Sequence, residues 1–107
     1  SKKIIREKYL NPSHLIVSSQ ILKKNKLVEK EDYAACSCAI QNLAISLSSN
    51  GVSIKWSTGE IIRSKLIYNI LNIDPESEEI IGFIWVGYGK KGPKISRPSI
   101  HEIYKQI

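Results

Sequence analysis

Methionine is missing from this 107-residue chain, even at position 1. A chain with no initiator residue is expected to start after processing, after a tag, or part-way along a longer chain. Cysteine is nearly as scarce, with only Cys36 and Cys38 present. They stand two apart in a stretch that reads as helix, where residues i and i+2 point apart and can neither pair nor chelate together. With no C-x-x-C and no histidine nearby, no zinc site is expected, and reduced thiols buried in a helix are. No apolar run approaches the length that spans a bilayer, and the basic N-terminus lacks the apolar core of an export signal; a cytoplasmic protein is expected. Side-chain catalysts are missing too. The chain has no G-x-S-x-G elbow, P-loop, H-E-x-x-H or paired-carboxylate motif. Its two histidines, His14 and His101, sit in a strand approach and in the C-terminal tail, as surface or turn residues do. No catalytic side chain and no metal ligand is assigned.

Positive charge is plentiful. Sixteen Lys and Arg against ten Asp and Glu give a net charge of +6. The basic residues cluster as Lys2, Lys3, Arg6 and Lys8, as Lys23, Lys24 and Lys26, and as Lys90, Lys91, Lys94 and Arg97. Such groups meet nucleic acid, anionic lipid or a phosphorylated ligand, or simply stay solvated. A small basic nucleic-acid-binding protein is one reading. Against it stand an aromatic content of only 7% and the lack of any reader motif. A hydrophobic fraction of 42% with 24% charged residues is that of an ordinary globular protein, and the length suits one domain, 1–107. Repeats and low-complexity tracts are absent.

Along the chain, Ser1 to Leu10 reads as a short helix or frayed end, stopped by Asn11-Pro12. Leu15 to Ser19 reads as a strand, and Ile21 to Lys30 as a loop without clear period. Asp32 to Ser49 reads as the main helix. Tyr33, Cys36, Ile40, Leu43 and Leu47 form its apolar seam, Asp32 caps its start, and Asn50-Gly51 supplies a left-handed end. A second face of small residues, Ala35, Ala39, Asn42, Ser46 and Ser49, lets another helix approach, within the domain or across a dimer. Val52 to Trp56 alternates as a half-buried strand does. Ser57 with Glu60 matches a capping box, opening a helix with Ile62, Leu66 and Ile70 on one face and a hitch at Arg63-Ser64. That helix ends near Asn72, before Pro75. Ile80 to Val86, apolar at nearly every position, reads as a strand covered on both faces. From Tyr88 the chain reads as loop, with weak helical character over Ile100 to Ile107.

In order, these pieces are helix, Asn-Gly, strand, Trp56-Ser57-Thr58-Gly59, helix, acidic turn and apolar strand. With Ala39-Ile40-Gln41-Asn42-Leu43, Leu66 to Leu71, and Ile80 to Gly87, the arrangement resembles the C-terminal half of the nitroreductase family of flavin oxidoreductases. The likeness runs from about Pro12 to Pro98. It rests on order and spacing rather than on any one motif. The Arg-rich segment that opens the family's N-terminal half has no counterpart here.

The resemblance implies an α+β, three-layer α/β/α nitroreductase-like fold, a mixed sheet flanked by helices, with the N-terminal part lacking. It implies FMN as cofactor and NAD(P)H as electron donor, with a nitroaromatic or quinone-like acceptor, and a homodimer with FMN at the interface. Backbone N–H groups at a strand-to-helix turn accept phosphate, hydroxyl or carbonyl oxygens, and glycine allows close approach. The resemblance accordingly assigns cofactor binding to Trp56, Ser57, Thr58 and Gly59. It assigns a phosphate contact to Arg97, with Lys94 second. The helix end from Ser46 to Gly51 falls where some relatives meet the nicotinamide nucleotide. A truncated or non-catalytic flavin-binding relative is the alternative.

Overall fold

The structure, a computed structural model, describes Lys3, residues 11–89 and residues 92–107. The expectation for Ser1 to Leu10, and the basic residues Lys2, Arg6, Lys8, Lys90 and Lys91, fall outside the described residues, Lys3 apart. Three strands, β1 (His14–Ile21), β2 (Ser53–Ser57) and β3 (Glu78–Gly87), form a sheet in the order β1-β3-β2. Both pairings are antiparallel, so the sheet expected to be mixed is antiparallel among the described residues. Helix α1 (Lys26–Ser48) covers one face, and a 3₁₀ turn (Glu60–Arg63) with helix α2 (Lys65–Ile70) covers the other; a final turn, α3, spans Ile100–Ile103. Three layers result, with β3 in the middle. No helix among the described residues is long and apolar enough to cross a membrane.

The near-continuous apolar run of β3 follows from that position, since both of its faces are covered. Ile80, Phe83 and Trp85 pack with Ile62 and Tyr68 on one side, while Ile81, Ile84 and Val86 pack with Ile40 on the other. Ile80 and Phe83 are three apart, and a regular strand would place them on opposite faces. A bulge reconciles them. Ser18 pairs with Gly82 and Ser19 with Ile80, leaving Ile81 with no partner of its own. Phe83 and Trp85 meet edge to face at 6.1 Å, a preferred aromatic geometry.

Helix α1 is longer than its periodicity suggested. It starts at Lys26, so the segment expected to be a loop supplies its first turn, and the N-cap is Asn25 rather than Asp32. The Asn25 carboxamide oxygen accepts from the N–H groups of Leu27 at 2.9 Å and Val28 at 3.4 Å. Lys26 pairs with Glu29 at 3.1 Å. These local bonds stabilise a turn whose Leu27 is 63% exposed, and a segment that buries so little carries no hydrophobic period. Further along, Ile40 is buried and Cys36, Leu43 and Leu47 pack beside it, as the seam required, whereas Tyr33, expected to open the seam, is 39% exposed and lies outside that cluster. Cys38 is exposed rather than buried. Gly51, at φ +75°, ends the helix in the left-handed region.

The second helical stretch departs from expectation in its phase. Ser57 closes β2 instead of capping a helix, and the 3₁₀ turn is preceded by Gly59 without a side-chain cap. Ser64 breaks the stretch and caps α2, its hydroxyl accepting from Ile67 N–H at 3.3 Å. A 3₁₀ turn advances three residues per turn and the break resets the rotation. The buried side therefore carries Ile62 and Tyr68, with Ile61 and Ile67 beside them. Leu66 and Ile70, expected beside Ile62, are exposed. Asn72, at φ 55°, ends the stretch before Pro75.

Candidate functional site

Strand β2 runs out at Ser57, opposite Phe83, while β3 extends back to Glu78. On that side the start of β3 has no strand beside it among the described residues, and two of its backbone groups find side-chain partners. The Tyr68 hydroxyl accepts from Ile80 N–H at 2.7 Å, and the Trp56 indole N–H donates to Ile81 C=O at 3.1 Å. Beyond this gap the chain turns through Thr58 and Gly59 into the 3₁₀ turn. The Arg63 guanidinium folds back over the turn, Nη1 donating to Thr58 C=O at 3.1 Å.

A cavity of about 790 Å³ opens at this corner, within the range of small-molecule sites. Thr58, Arg63, Lys65, Tyr68, Ile80 and Ile81 line it, together with Tyr33 of α1. Glu79 lies at its edge and accepts from the buried Gln20 carboxamide at 3.3 Å. A second hollow of about 610 Å³ lies between the C-terminal end of α1 and β2, lined by Gln41, Ser48, Ser49 and Ser53 among others. It adjoins the Ser46 to Gly51 segment.

The four residues of the turn divide into two roles. The Trp56 ring packs on the sheet beside Ile81 and Ile84, its N–H occupied by Ile81. Ser57 is a strand residue paired with Phe83. Thr58 and Gly59 are exposed, Thr58 lines the large cavity, and the space a Cβ would take at Gly59 is open. Lys94 and Arg97 stand apart from this corner. Both are exposed in a tail with no buried residue from 92 to 107, and neither makes a hydrogen bond or ion pair with a described residue. The sequence pattern assigns none of Arg63, Lys65, Tyr33 and Tyr68 to a site; Tyr33 reads there as a seam residue of the helix. Only the junction at Arg63-Ser64 hinted at them, because a helix broken there swings Arg63 back to Thr58 and turns Tyr68 inward. Among the described residues no group of three or more His, Cys, Asp or Glu could hold a metal ion.

The fold defines a class. The chain superimposes on a nitroreductase-like family protein from Bacillus cereus with a TM-score of 0.85 and 24% identity, covering 98% of this chain and 56% of that one. The layered architecture is thus the nitroreductase-like fold, and the chain spans little more than half of it. In sequence the chain resembles the nitroreductase family as well: it is 27% identical over 86 residues to the Bacillus subtilis (strain 168) protein named "Putative NAD(P)H nitroreductase YfhC". That match covers 80% of this chain and 43% of the relative. No protein-family model matches the sequence.

Proposed function

We propose that the chain is part of an FMN-dependent oxidoreductase of the nitroreductase type, passing electrons from NAD(P)H to an electron-poor nitroaromatic or quinone-like acceptor. The observation that carries this reading is the cavity at Thr58, about 790 Å³ with both apolar and polar residues in its lining, in a chain that resembles the nitroreductases. A flavin fits the residues present. The open side of Gly59 leaves room for a ring against the backbone, and Thr58 offers a hydroxyl beside it. Trp56 and Ser57 hold the turn in place through the sheet. Arg97, with Lys94, would meet the cofactor phosphate, since neither cation has a partner among the described residues and a guanidinium binds phosphate through two parallel bonds. When bound, the cofactor supplies the two-electron chemistry, and the protein binds, orients and tunes it.

The proposal includes a homodimer. The small-residue face of α1, from Ala35 to Ser49, is exposed along its length. The accessible surface totals 9140 Å², against about 6,000 Å² for a compact monomer of this mass.

The test is a visible absorption spectrum of the purified protein, followed by titration with FMN. Flavin bands, with FMN released on denaturation and bleached by NAD(P)H, are the expected result. A protein that holds flavin but is not bleached is a non-catalytic relative. A colourless protein that takes up no FMN ends the reading.

A further inference from the structure

The cavity at Thr58 has more donors than the protein itself can use. Tyr68, 8% exposed, accepts from Ile80 N–H through its hydroxyl oxygen, and its own O–H meets no acceptor among the described residues. Arg63 spends one N–H on Thr58 C=O, and its four others meet no acceptor among the described residues; Lys65 and Asn69 make no side-chain bond to a described residue. Against these donors the lining offers one carboxylate, that of Glu79, already accepting from Gln20. Two cations and one anion share the lining with Ile62, Ile80 and Ile81 and with the rings of Tyr33 and Tyr68. A site built this way is short of acceptors and negative charge, and its walls suit a flat apolar body.

We infer that the electron acceptor is an aromatic compound bearing an acidic group, its ring against the isoleucines and its anion held by Arg63, Lys65 and the Tyr68 hydroxyl. This rests on the redox reading for the ligand's role, though not for its charge: the flavin ring takes the open side of Gly59, which is outside the cavity lining, and the acceptor takes the cavity beside it. Arg63 is the anchor, because its bond to Thr58 C=O fixes the guanidinium at the turn, and a guanidinium presents two parallel donors to a carboxylate. Lys65 adds charge without fixed geometry.

The test compares 4-nitrobenzoate with nitrobenzene, which share ring and nitro group and differ in the acid. Each is titrated into the full chain, with and without FMN, and followed by backbone amide NMR shifts. The expected result is that 4-nitrobenzoate binds at least about ten-fold more tightly, with shifts at Thr58, Arg63 and Asn69, a preference of the size charge-assisted bonds confer. In the Arg63→Ala/Lys65→Ala variant the preference for 4-nitrobenzoate over nitrobenzene disappears. Both residues are exposed, and the same spectra report whether the fold is intact. Equal affinities for the two probes, a preference that survives in the double variant, or shifts elsewhere would overturn the inference. A colourless protein that keeps the preference removes the flavin reading alone. A flavin-loaded protein without it removes this inference alone.

Discussion

Trp56 and Gly82 come from different parts of the chain and are one contact in the fold. The ring lies where a side chain at position 82 would go: a Cβ there would sit 1.9 Å from the indole nitrogen. The ring cannot easily retreat, because its N–H is held by Ile81 C=O and its faces pack in the cluster around Ile40. Gly82→Ala should therefore destabilise the protein by about 1–3 kcal/mol, the usual cost of overpacking. Urea unfolding checks this, and an unchanged midpoint would show that the ring moves freely. These two residues, which help carry the family resemblance, thus have a structural reason to be there. The ligand-facing share of the turn falls to Thr58 and Gly59. At Tyr68 the hydroxyl oxygen satisfies the edge of β3, while the residue also lines the cavity.

Among the elements, α1 shows two sources of helix stability in one segment. From Cys36 to Leu47 it is held by packing on β3, and that half was legible as a three-and-four repeat. From Lys26 to about Asp32 it is held by local bonds, with Asn25 capping the first N–H groups. Asn25→Ala should cost about 1 kcal/mol, the usual worth of an N-cap. The loss should appear as faster amide exchange at Leu27 and Val28, with Ile40 little changed; equal acceleration along the helix would mean that it opens as one unit. The second helical stretch was legible as a helix but not in its facing. Its 3₁₀ start and the break at Ser64 turned Tyr68 inward and left Leu66 and Ile70 outside. That rotation builds the cavity wall, and it is the reason Arg63 and Tyr68 escaped the sequence reading.

For the molecule as a whole, the radius of gyration is 17.0 Å, against about 13 Å for a compact chain of this length. Leu66, Ile70, Ile95, Ile100 and Ile103 are each at least 65% exposed. The proposed homodimer would bury a different surface, the small-residue face of α1, on the other side of the sheet from Leu66 and Ile70. Sedimentation of the purified protein should show twice the monomer mass. Ala39→Lys, which puts a long charged chain on that face, should weaken the dimer by at least about ten-fold, the effect of desolvating one unpaired charge at an interface. A wild-type protein that sediments as a monomer at all concentrations would remove the homodimer.

By itself the sequence determined what depends on pattern: an apolar strand with both faces covered, a helix seam, left-handed exits at Gly51 and near Asn72, and the order of pieces that resembles the nitroreductases. Each is a local property, written in residue types at fixed spacing. Only the tertiary structure decided that the described strands pair antiparallel, that a bulge at Ile81 puts Ile80 and Phe83 on one face, and that Arg63, Lys65, Tyr33 and Tyr68 surround Thr58. These follow from register, from the rotation of a broken helix and from contacts between layers. Such quantities depend on where distant segments meet, and no single window of sequence contains them.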